Sequence, residues 1–66
     1  MKRRVPRVGD KVTPVGKGGR PGYPNGTVGR VVDAISGAAG LIVVCEFPGY
    51  HSRVDLYWKK VRVVAR

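Results

Sequence analysis

Cysteine is almost absent from this chain: Cys45 is the only one in 66 residues. A single thiol excludes a disulfide within the chain. It equally excludes a zinc ribbon or an iron–sulfur site built within one chain. Histidine is as scarce, with His51 alone, so one chain cannot offer three imidazoles to a metal. A serine–histidine–aspartate set survives that count, but so short a chain has little room to orient one and shape a pocket. No apolar run approaches the roughly 18 residues of a transmembrane helix. Met1-Lys2-Arg3-Arg4 is similar to the n-region of a signal peptide, yet no apolar h-region follows it. These absences predict a cytoplasmic protein with no membrane partner, no metal, no cofactor and no catalytic residue set.

Negative charge is the next scarcity. Four acidic residues stand against 13 Lys plus Arg, and 13 − 4 gives a formal charge of +9. Solubility asks for about 2–8 charges on a small domain, so the excess points to an anionic partner. The length allows one domain. A chain this short buries only about 60% of its unfolded surface, so its core is small and a homo-oligomer fits every reading.

Good helix formers are few, whereas ten Gly and five Pro punctuate the chain. Valine dominates between them, and its stiff branched Cβ favours pleated strands. Residues 1–8 read as a basic N-terminal arm and 9–66 as the folded domain. Gly9-Asp10 makes a turn, and Lys11 to Val15 is the first strand, with Pro14 confining it to an edge or a strand end. Gly16 to Gly26 is a long loop closed by the turn signal Asn25-Gly26. Thr27 to Ile35 is the second strand, whose broken period of two calls for a bulge near Gly29-Arg30. Ser36 to Gly40 turns into a third strand, Leu41 to Phe47. Pro48-Gly49 ends it, and Tyr50-His51-Ser52 continues the loop. Arg53 to Tyr57 alternates with Val54 and Leu56 inward, Trp58-Lys59-Lys60 is a single 3₁₀ turn, and Val61 to Val64 closes the chain. The predicted fold is all-β: a five-stranded SH3-like barrel with a long loop after the first strand. Its predicted core is Val12, Val28, Val31, Leu41, Val43, Cys45, Val54, Leu56, Val61 and Val63.

Three families resemble this pattern. Gly9-Asp10-Lys11-Val12 and Gly26-Thr27-Val28-Gly29-Arg30-Val31 resemble the two ends of the KOW motif of ribosomal proteins and transcription elongation factors, with a longer spacing between them. That resemblance implies an SH3-like barrel that binds nucleic acid. The chain also resembles the plasmid-borne type II dihydrofolate reductases at Gly9 to Val12, at Gly26 and Val28, and at Val54-Asp55-Leu56-Tyr57. This second likeness implies an NADPH-dependent homotetramer around a central pore, with Asp55 standing where the family carries Gln. Arg20-Pro21-Gly22-Tyr23 together with Val54 to Tyr57 is similar to the barrel of the nitrile hydratase β subunit, which implies a scaffold without chemistry.

The residues themselves favour a binding module over an enzyme. Lys and Arg displace condensed counterions from phosphates, the main source of sequence-independent affinity for DNA or RNA. The candidates are Lys2, Arg3, Arg4 and Arg7 in the arm, Lys17, Arg20 and Arg30 around the long loop, and Arg53, Lys59 and Lys60 toward the C-terminus. Lys11 and Arg62 accompany the last two groups. Tyr23 and Tyr50, expected to be exposed, are candidates for stacking on unpaired bases. Trp58 is expected to pack. Gly16-Lys17-Gly18-Gly19-Arg20 lacks the spacing and the following helix of a phosphate loop. Cys45, in step with Val43 and Phe47, reads as a buried small hydrophobe. The alternative partner for such a surface is an acidic protein.

Overall fold

The computed structural model describes residues 4–65. Five strands follow one another: β1 (Lys11–Pro14), β2 (Gly29–Gly37), β3 (Gly40–Phe47), β4 (Tyr50–Tyr57) and β5 (Val61–Ala65). A 3₁₀ turn at Trp58–Lys60 joins the last two. All neighbours are antiparallel in one sheet of order β4-β3-β2-β1-β5. This is the strand order of a small SH3-like barrel. The 3₁₀ turn packs against both β3 and β5 and spans the gap between the two outer strands. Val61 N–H donates to the Trp58 carbonyl and ends that turn.

The strand ends follow local chemistry. Pro14 has no amide hydrogen to give the ladder and is the last residue of β1. Beyond it, Val15 N–H instead donates to the Lys60 carbonyl at 2.9 Å. Pro48-Gly49 forms a two-residue turn with Gly49 at φ +82°, which suits proline first and glycine second in a type II turn. That turn returns the chain directly to the sheet, so β4 begins at Tyr50 and not, as predicted, at Arg53. Tyr50 to Ser52 is nevertheless irregular. Glu46 stands against His51, Ser52 and Arg53 together, because the register shifts between Cys45↔Val54 and Phe47↔Tyr50.

The β2 bulge lies further along than predicted. Val31 pairs with Cys45 and Asp33 with Val44, which leaves Val32 as the extra residue in place of Gly29-Arg30. Gly29 has another use: a Cβ there would fall 2.5 Å from Phe47 Cδ1 and closer still to the Glu46 carbonyl. Only glycine lets β2 approach β3 at that point.

Inward side chains of Val12, Val31, Val43, Cys45, Phe47, Val54 and Val61 form the core, with Tyr23 added from the long loop. Leu41, Leu56, Trp58 and Val63 pack partly buried against it. Val28 is a correction: it lies just before β2, where no neighbouring strand covers it, and is 45% exposed. Pro6 is buried, so the chain packs onto the barrel before the first strand. Arg7 N–H donates to Asp10 Oδ2 at 3.0 Å, and Gly9 N–H to the Val31 carbonyl at 2.9 Å.

Candidate nucleic-acid interface

Strand alternation sorts the charges. Across β2, β3 and β4 the outward positions form rows. Arg30 is opposite Glu46, whose Oε2 accepts from Arg53 Nε at 3.1 Å. In the next row Val44 is flanked by Asp33 and Asp55. The third holds Ile35, Ile42 and Tyr57. Three of the four acids therefore share one face of this three-stranded unit. The fourth, Asp10, is buried and holds its own turn. Eight other cations are described: Arg4, Arg7, Lys11, Lys17, Arg20, Lys59, Lys60 and Arg62. Arg4, Arg7, Lys11, Lys17, Arg20, Lys60 and Arg62 form no salt bridge among the described residues.

The long loop lays Gly18, next to Lys17 in sequence, against the backbone of Lys60. Gly18 sits so near the 3₁₀ turn that a Cβ on it would lie 2.5 Å from the Lys60 carbonyl oxygen. Lys59 Nζ lies 5.4 Å from the centre of the Trp58 ring, a cation–π distance. Trp58 is half-buried against the core, as its expected packing role requires. Arg20 remains exposed, but one guanidinium nitrogen donates to the Lys17 and Gly19 carbonyls at 3.0 and 3.1 Å. It shapes the loop as well as charging it. Arg4, Arg7 and Arg30 are exposed, whereas Arg53 is committed to Glu46. Lys2 and Arg3 lie outside the described residues.

Tyr23 departs from its expected exposure. Its ring stacks on Phe47 with centroids 5.1 Å apart, and Tyr50 meets it edge-on at 5.0 Å. Burying the ring against two aromatics anchors the long loop, 16–26, and offsets part of the cost of ordering it. Tyr50 remains 38% exposed. Its ring also stacks with His51. Lys11, named in the sequence beside the long-loop group, lies exposed on β1 opposite Arg30. Strand alternation turns it outward and Val12 inward.

Val54 is buried, Leu56 is half-buried and inward, and Asp55 is exposed beside Val44. Among the described residues no three His, Cys, Asp or Glu side chains group as metal ligands. No helix among them is long and apolar enough to cross a membrane. Comparison with protein-family models, with curated proteins and with solved structures finds no match to this chain.

Proposed function

We propose that this chain is a small, cytoplasmic, KOW-like barrel that binds nucleic acid chiefly through phosphate contacts. The observation that carries the reading is the segregation of charge. Asp33, Glu46 and Asp55 share one outward face of β2–β4, whereas Arg4, Arg7, Lys17, Arg20, Lys60 and Arg62 lie off those three strands and form no salt bridge among the described residues. A surface evolved only for solubility intersperses both signs. A surface for a polyanion concentrates one sign where counterions are to be displaced.

A fluorescence-polarisation titration with short random-sequence oligonucleotides, single-stranded and duplex, tests it. Binding that weakens when Lys17 and Lys60 are changed to Gln, and holds when Asp33 and Asp55 are changed to Asn, is the expected result. A chain that ignores both oligonucleotides but binds poly-glutamate has an acidic protein for its partner instead.

A further inference from the structure

One groove stands out from the general basic surface. It is open, measures about 550 Å³, and runs where the start of β2 meets β1 and the end of β3. Lys11 and Arg30 reach it from directly opposed positions in the β1–β2 register. Like charges facing each other across two strands destabilise a sheet. Arg30 also faces Glu46 on its other side, which would relieve the conflict. That carboxylate is instead taken by Arg53 at 3.1 Å. Among the described residues Lys11 and Arg30 form no ion pair. Glu46, its carboxylate held by Arg53, also lines the groove, and the remaining lining is apolar apart from the backbone of Gly29. Val28 is 45% exposed, Pro48 is exposed opposite it, and the Phe47 ring backs the floor where Gly29 has no side chain.

Two unpaired cations beside an exposed apolar shelf suit a ligand that carries an anion next to a flat apolar group. We propose that this groove is the phosphate-holding subsite for single-stranded nucleic acid. Lys11 and Arg30 share one backbone phosphate, and the attached nucleoside lies along Val28 and Pro48. The assignment rests on the nucleic-acid reading and gives it a location. A single strand is favoured over a duplex because duplex bases are already stacked and cannot turn a face to the shelf. The phosphate also removes the repulsion between the two cations, so the unliganded sheet carries a strain that the ligand relieves.

The test combines two readouts on the full chain. A short single-stranded oligonucleotide is titrated into isotope-labelled protein, and amide shifts are followed by NMR. Perturbations centred on Lys11, Val28, Arg30 and Phe47 are expected. Lys11→Gln and Arg30→Gln should each weaken binding by about tenfold at low salt, the loss of one charge-assisted contact. The same change at Lys17 or Lys60 should cost less. Both groove variants should nonetheless melt a few degrees higher than the parent, since each removes a like-charge opposition. This second readout also shows that weaker binding is not unfolding. Perturbations confined to the long loop and the 3₁₀ turn, or groove variants that bind as well as the parent, overturn the groove while the nucleic-acid function stands. Equal losses on duplex and single strand overturn its single-strand character. A parent chain that binds no oligonucleotide overturns the function and the groove together.

Discussion

Cys45 sits on the inward face of β3 with no exposed surface. Burial, reinforced by the nearby Asp55 carboxylate, pushes its thiol up from 9.0 to about 11. The neutral thiol is therefore favoured in the folded chain. Its contribution to stability is complete below about pH 9 and is lost as the pH rises through about 11, because the unfolded chain releases that proton first. Denaturant midpoints taken across that range should fall less for Cys45→Ala than for the parent chain. Parallel curves would show that the thiol ionises equally in both states. Tyr23 and Tyr50 separate in the same residue-level way. Tyr23→Ala empties a place against Phe47 and should cost about 3 kcal/mol of stability. Tyr50→Ala should leave the fold intact while weakening single strands and sparing duplexes. Thermal melts and paired titrations distinguish them, and a Tyr23→Ala chain that melts like the parent contradicts the stacked placement. The burial of Tyr23 was not legible in the sequence, because a tyrosine between glycines and prolines has no strand neighbours to declare its direction.

At the level of elements, β3 was the most readable. Val43, Cys45 and Phe47 alternate inward without interruption, and all three are buried. Val43→Asp places an unpaired carboxylate at a position with no exposed surface. A domain of this size holds roughly 3–10 kcal/mol in all, so that variant should be unfolded by circular dichroism at room temperature. A native-like spectrum would mean that β3 faces the other way. The type II turn at Pro48-Gly49 gives a milder case. Gly49→Val forces a β-branched residue to φ near +82°, and should cost about 1–2 kcal/mol. What sequence alone could not place were the irregularities. A bulge is a property of two strands, and neither strand by itself records the partner's register. The extra Val32 in β2 and the crowded stretch opposite Glu46 appear only once pairing is known.

Those irregularities decide the behaviour of the whole molecule. A strand with strict alternation after Val31 would turn Asp33 toward the core and Ala34 outward. The bulge at Val32 reverses that and sets Asp33 on the same outward face as Glu46 and Asp55. The sum of +9 was visible from composition; whether Asp33 joins Glu46 and Asp55 on one face depends on a single extra residue. If the cations left outside that face bind phosphates, affinity must follow the release of counterions. Measuring the dissociation constant for a duplex oligonucleotide over a series of salt concentrations tests this most directly. Half a dozen phosphate contacts predict a slope of about −5 for log affinity against log salt on duplex, and about −4 on a single strand. A slope near zero, or no binding at the lowest salt, would contradict the account.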